Sequence, residues 1–287
     1  MNSKPISTAF FDGGAKPSSP PWRELLPLLA TTALQAAQTA GCQPTGRKNA
    51  KGDVVKAFDF AADEAARNYL AQADIDGLLE TEEGEPYKLG KGKPNWRIVI
   101  DPVDGSDNFV RGLPLSAFSC AVLRIEALLA PYNVEAGIVA PAEGGPPFQA
   151  SRHKGARRGE TILRTSGKRT LKDSIVSIEL NHLAPPRWLS RVMKKAAGVR
   201  SYGCASRALA LVASGAIDAH IDARDRLTAE SHLAGALLVL EAGGCVVAPD
   251  GSPLPGVRTL TDRHSLIAAA SNDLACEIVQ ERNENVG

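Results

Sequence analysis

Apolar and polar positions alternate along this chain in two different ways. From Trp22 to Ala40 they repeat at helical spacing and stop at Gly41, which predicts a first helix. A second helix is predicted from about Asp59 to Ala73, with Phe60, Ala61, Tyr69 and Leu70 on or near one stripe. Short apolar runs then predict strands at 97–100, 117–124, 134–140 and 147–151, the last before a turn at Gly155. This half reads as helices packed on an antiparallel sheet. After Lys168 strands and helices alternate: strand Ile175–Leu180, helix Arg187–Ala197, helix Ser206–Ser214, strand Ala219–Asp222, helix His232–Ala242 and strand Ser265–Ala270. No internal repeat is visible. Three regions are expected. Residues 1–21, with Gly13-Gly14, Pro17, Ser18-Ser19 and Pro20-Pro21, read as a loose leader; 22–167 form an α+β half and 168–287 an α/β half.

Composition narrows the function classes. The 287 residues allow one large domain or two smaller ones with ample core. A net charge of +1 gives no global field to recruit a nucleic-acid polymer. No apolar run approaches membrane-spanning length, and the N-terminus lacks signal-peptide features, so no membrane is expected as a partner. Cys42, Cys120, Cys204, Cys245 and Cys276 are scattered and odd in number, which suits reduced thiols of a cytoplasmic protein. The five histidines show no helical pair spacing, so zinc is not expected.

Candidate chemistry concentrates in Asp101-Pro102-Val103-Asp104-Gly105-Ser106-Asp107-Asn108-Phe109, directly after the run Trp96-Arg97-Ile98-Val99-Ile100. A buried strand would deliver two carboxylates at its end and then turn at Gly105. Acids at i and i+3 around a kinked strand end can aim oxygens at one point, which suits a hard cation such as Mg²⁺. Glu82, upstream in Leu79-Glu80-Thr81-Glu82-Glu83, can supply a third carboxylate. Asp-Pro and Asp-Gly pairs also mark ordinary turns, so the metal reading and the turn reading both stand on these residues alone. An EF-hand is excluded by the spacing.

The stretch resembles the Asp-Pro-Ile-Asp-Gly-Thr-x-Asn-Phe signature of the inositol monophosphatase family, within the Mg²⁺-dependent, lithium-sensitive phosphatases that include fructose-bisphosphatases. Val103 and Ser106 are the differing positions. Gly52-Asp53-Val54-Val55-Lys56-Ala57-Phe58-Asp59, Thr81-Glu82-Glu83, Lys154-Gly155-Ala156, Gly203-Cys204-Ala205-Ser206, Ala213-Ser214-Gly215-Ala216-Ile217-Asp218-Ala219 and Glu241-Ala242-Gly243-Gly244 are similar to further family segments. The resemblance covers roughly residues 22 to 280 in the family's order. It implies a five-layered α-β-α-β-α sandwich (α+β and α/β), two or three Mg²⁺ ions, inhibition by Li⁺, a small phosphorylated metabolite as substrate and a homodimer. It implies that Glu82, Asp101, the carbonyl of Val103 and Asp104 hold metal, that Ser106 contacts the nucleophilic water, and that Asp59 orients Ser106. The amides of Gly105 and Ser106 would bind phosphate.

Alternatives remain at several positions. Asp59 can serve as a helix N-cap, Glu83 as a supporting or solvated acid, Asp107 as a surface charge, and Asn108 as a brace for the turn. Lys154, Arg157 and Arg158 read as surface charges. In Asp222-Ala223-Arg224-Asp225-Arg226, expected as a loop, Asp222 can meet ring hydroxyls as an acid does in inositol-specific members. Arg224 can hold a second phosphate instead, or the loop is simply solvated.

One departure stands out. The family's last metal-ligand aspartate falls on Ser231, beside Glu230, in Thr228-Ala229-Glu230-Ser231-His232. Serine is a poor Mg²⁺ ligand, Glu230 points about 100° away on a helix, and Ser231 can also be a cap. Two functions therefore compete: an active phosphomonoesterase, and a weakened or silent member acting as a binding or regulatory protein.

Overall fold

The structure, a computed structural model, describes residues 20–49, 52, 54–181 and 184–284. Residues 1–19 of the expected leader, and Asp53 of the segment before the second helix, lie outside the described residues. The helices are α1 (Trp22–Ala40), α2 (Ala57–Gln72), α3 (Ser106–Val110), α4 (Arg187–Lys195), α5 (Ala205–Ala213), α6 (Ala229–Glu241) and α7 (Asn272–Asn283). The strands of the first half are β1 (Pro44–Lys48), β2 (Val54–Lys56), β3 (Gly77–Thr81), β4 (Tyr87–Leu89), β5 (Trp96–Asp104), β6 (Ala117–Arg124), β7 (Val134–Pro141), β8 (Phe148–Ser151), β9 (Ala156–Arg158) and β10 (Thr161–Ile162). Those of the second half are β11 (Ile175–Ile178), β12 (Gly198–Arg200), β13 (Ala219–Leu227), β14 (Cys245–Val247) and β15 (His264–Ala269).

Two sheets and three helix layers result. β1 and β2 form a separate hairpin. The eight-stranded sheet runs β10-β9-β8-β7-β6-β5-β3-β4, and only its β3–β5 pair is parallel. The five-stranded sheet runs β12-β11-β13-β15-β14. Side chains alternate across each strand, so each sheet feeds two cores. Ile98, Ile100, Phe118 and Val122 pack outward against Phe58, Ala62, Leu29 and Ala33 of α1 and α2. Val99, Ala121 and Val139 face inward to Leu209 of α5 and Leu233 and Leu237 of α6, a core that Leu266 and Ala268 close from the second sheet. Val176 and Ile221 pack on the far side against Leu189 of α4 and Leu274 of α7. This is the expected α-β-α-β-α sandwich. The inner helices belong to the second half and lie against both sheets, because an inner layer must bury two faces.

α5 and α6 come unusually close. A Cβ on Gly235 would lie 2.6 Å from Cβ of Leu209, so glycine permits the contact that sets the position of α6. α2 begins two residues before its expected start, and its buried stripe is Phe58, Ala62, Ala66 and Leu70, not the Phe60 stripe. Phe60 instead lies under the Arg47 guanidinium, 4.4 Å from the ring centroid. α6 starts three residues before the expected His232, which places Glu230 and Ser231 in its first turn.

Candidate active site

β5 carries the site, and its irregularity makes the site possible. Asp101 lies opposite Ser119 on β6 and Asp104 opposite Ala117, with a shift between them. Three steps on β5 therefore match two on β6, a bulge at Pro102-Val103, where proline offers no N–H to the ladder. In a regular strand residues three apart face opposite sides. The bulge returns both carboxylates to the inner face, while the Val103 side chain joins the outer core. Asp101 is 3% exposed. Gly105 turns the chain at φ +80°, and a Cβ there would sit 3.0 Å from Cβ of Cys204. The Ser116 hydroxyl donates to the Gly105 carbonyl at 2.9 Å. Asn108 Nδ2 donates to the Tyr202 carbonyl at 2.7 Å, so Asn108 braces the turn against the second half. Asp107 is exposed and pairs with Lys56 at 3.4 Å.

The remaining site residues arrive from three directions. Asp59 is the third residue of α2, whose N-cap position is Lys56, so the N-cap reading is corrected. Its carboxylate is buried and lies 3.5 Å from the Ser106 hydroxyl, which also reaches the Val103 carbonyl at 3.1 Å. Glu82 follows β3 and accepts from Asn49 Nδ2 at 3.4 Å. Burial pushes Asp59 up to about 7, aided by the Glu82 charge. Burial likewise pushes Glu83 up to about 8, with Glu82 and Asp59 adding to it. Glu83 is thus part of the acidic cluster, not a solvated residue.

α5 and α6 close the inner side. The Asp104 Oδ2 accepts from the Ser206 backbone N–H at 2.7 Å and the Cys204 thiol at 3.2 Å. Asp104 thereby caps the start of α5, a structural use that the sequence does not advertise. Ser231 donates its hydroxyl to Asp101 Oδ2 at 3.1 Å. It is not the cap of α6, since Thr228 holds that position. Glu230 is 1% exposed, and its Oε1 accepts from the Thr228 hydroxyl at 2.5 Å, while Ser119 binds its carbonyl. Behind this turn His232 and His264 meet Nε2 to Nε2 at 3.2 Å, and burial holds His232 down at about 3.

The Asp222–Arg226 segment differs from expectation. β13 continues to Leu227, so Asp222–Arg226 is strand, with a register shift and Asp225 at φ +54°. Asp222 is 0% exposed, and both its oxygens are bound by Arg224, Nε to Oδ1 at 3.0 Å and Nη2 to Oδ2 at 2.6 Å. This forked pair engages both Asp222 oxygens. Arg224 Nη1 reaches the Asn181 carbonyl at 3.4 Å, and its charge acts on Glu179 and Asp104. Cys204 and Ser206 lie in the Gly203-Cys204-Ala205-Ser206 segment already noted, but nothing in the sequence signals their contact with Asp104, and Asn49 and Asn181 carry no signal of their own. Arg158 lies over the Phe148 ring and Arg157 pairs with Glu160, consistent with surface roles.

These donors suit a hard cation on one side. Glu82, Asp101 and the Val103 carbonyl offer only oxygens, and burial together with the Glu82 charge raises the pKa of Asp59 and Glu83, a crowding that a divalent ion relieves. Among the described residues, however, no three Asp, Glu, His or Cys side chains form a finished ligand cage.

A model of the inositol monophosphatase family matches residues 27–286. The chain belongs to the inositol monophosphatase family. It is therefore assigned to the metal-dependent phosphatases that hydrolyse phosphoric monoesters. An inositol-1-monophosphatase of Rhizobium meliloti is 33% identical over 209 residues, covering 71% of this chain and 75% of that protein. A bifunctional NADP phosphatase/NAD kinase of Methanococcus maripaludis is 28% identical over 216 residues; the match covers 70% of this chain, which spans only 38% of that enzyme. The crystal structure of the extragenic suppressor protein SuhB of Bartonella henselae superposes with a TM-score of 0.76 at 25% identity, covering 92% of this chain and 99% of that one. The phosphatase names among these relatives do not favour a silent member. No described helix is long and apolar enough to cross a membrane, and all five cysteines are free.

Proposed function

We propose that the chain is a Mg²⁺-dependent phosphomonoesterase acting on a small sugar, inositol or nucleotide phosphate. The observation that carries this reading is the bulge that puts Asp101 and Asp104 on one face of β5, with Glu82 following the β3 residue paired to Ile100 and Ser106 within reach of Asp59. Glu82, Asp101 and the Val103 carbonyl would hold Mg²⁺, and Asp104 continues the acidic edge beside them. Bound metal supplies an ionised water at neutral pH and charge neutralisation at the leaving oxygen. The protein's own part is orientation. Ser106 lies within reach of Asp59; with its proton directed there, its oxygen accepts from the attacking water. The Gly105 and Ser106 amides, at the start of α3, meet the phosphate oxygens.

Selectivity is assigned to the second half. Arg224, held flat by Asp222, presents a cation near the site, which supports a substrate with a second anionic group over a plain polyol monophosphate. By family resemblance the enzyme would be inhibited by Li⁺, work in a reducing cytoplasm and pair as a homodimer; a solution mass of 30.2 kDa at micromolar concentration would exclude the pairing. The experiment is phosphate release from a panel of inositol, sugar and nucleotide phosphates with and without Mg²⁺. Release from none of them overturns the proposal.

A further inference from the structure

The space between the end of β5 and the first turns of α5 and α6 is filled by proton donors. Ser231 donates to Asp101 Oδ2 at 3.1 Å. The Ser206 amide and the Cys204 thiol both donate to Asp104 Oδ2, at 2.7 and 3.2 Å. Arg224, closed on Asp222 at 2.6 Å, feels the charge of the same Asp104. A divalent cation shared by these two aspartates needs oxygen lone pairs and negative charge at this place. The chain supplies N–H, S–H and O–H protons instead. Glu230 does not make up the loss. It is 1% exposed and its Oε1 is held at 2.5 Å by Thr228, so that oxygen is directed into the first turn of α6. At the end of β3, Glu82 follows Thr81, which is paired with Ile100, so Glu82 and the Val103 carbonyl bring oxygen acceptors level with Asp101.

We infer that this chain retains one strong divalent-cation position, formed by Glu82, Asp101 and the Val103 carbonyl, and has replaced the second, between Asp101, Asp104 and residue 231, by a hydrogen-bond network centred on Ser231. The inference rests on the metal-dependent reading above but concerns the number of ions, so the two can fail separately. Its structural core is the direction of one proton: Ser231 gives a hydrogen bond to Asp101, where an aspartate would share a cation with it.

The test counts ions. The full-length chain is stripped with chelator and titrated with Mn²⁺, and free Mn²⁺ is read by its paramagnetic resonance signal. Wild type is expected to bind one ion tightly, with any second at least about tenfold weaker. Ser231→Asp is expected to gain a second ion, or to tighten it by roughly 10- to 100-fold. An acid in the first turn of a helix is tolerated, so this variant should fold, and its circular dichroism confirms that. Ser231→Asn, with similar size and no charge, is expected to bind like wild type, and Glu230→Gln likewise. Two ions of indistinguishable affinity in wild type would overturn the inference. So would a folded Ser231→Asp variant with the wild-type isotherm, or loss of an ion in Glu230→Gln. Binding of no Mn²⁺ by wild type or by Ser231→Asp removes both the inference and the metal reading beneath it. One tight ion in both removes the inference alone.

Discussion

Asp101→Asn separates the chemistry of the site from its architecture. Asp101 is 3% exposed and its Oδ2 faces the Ser231 hydroxyl at 3.1 Å. Asparagine has the same shape and keeps an oxygen for that hydroxyl. The stability cost is then the difference between a charged and a neutral acceptor, about 1 kcal/mol. For a chain of this size that is about 2–4 °C in Tm. The catalytic cost is larger. Opposite unit charges 4 Å apart are worth about 4 kcal/mol at an effective dielectric constant of about 20. Losing a contact of that order weakens kcat/KM by about a factor of 10²–10³, since about 1.4 kcal/mol is one decade. The assay is hydrolysis of a generic aryl phosphate at fixed Mg²⁺, with Tm measured on the same sample. Turnover within about threefold of wild type would refute the role given to Asp101. A fall in Tm of more than about 10 °C would show that activity was lost through the fold.

Further outcomes follow from the same geometry. Ser106→Ala and Asp59→Asn should each lower kcat by about 10²-fold with little change in KM, and the double variant should cost no more than either alone, as groups acting in one relay do; additive losses count against the relay. Arg224→Ala should raise KM for a bisphosphate more than for a monophosphate with one anionic group, by roughly 1–3 kcal/mol of binding; equal effects on both remove its specificity role. Asp59 and Glu83 stand at about 7 and about 8 against ordinary values of 3.8 and 4.5. Their folded-state pKa values are raised, so the metal-free fold holds protons that the unfolded chain sheds, and its stability falls as pH climbs from about 4 to about 8. The stabilisation by saturating Mg²⁺ should therefore grow over that window, and a Tm difference independent of pH contradicts it.

Much of the fold was legible because its long elements are strongly patterned. α1 has its predicted limits, and β6 does too, since an unbroken apolar run between two turns leaves little room for another reading. The short strands β1, β2, β9, β12 and β14 were not legible; their pairing is fixed by neighbours, not by an apolar period of their own. α7 was missed as well, although Ser271 caps it by accepting from the Leu274 N–H at 3.2 Å. The strand end at Asp101–Asp104 could be named from the sequence, but not the bulge that aligns the two acids, because register belongs to the partner strand. For the same reason the capping of α5 by Asp104 was invisible, and so was the closure of Arg224 on Asp222. Both are side-chain contacts fixed by the folded geometry, which spacing along the chain does not encode.

Glu82, Asp101 and Asp104 are proposed as the acidic edge of a metal-dependent phosphatase site. Its most direct test is inorganic phosphate release by the purified chain, first with chelator and then after addition of Mg²⁺, over inositol 1-phosphate, fructose 1,6-bisphosphate and NADP. No release is expected under chelation, and Mg²⁺ should restore release from at least one ester. A folded Glu82→Gln variant should lose that release. Release that persists under chelation, or that survives Glu82→Gln at the wild-type rate, would contradict the assignment.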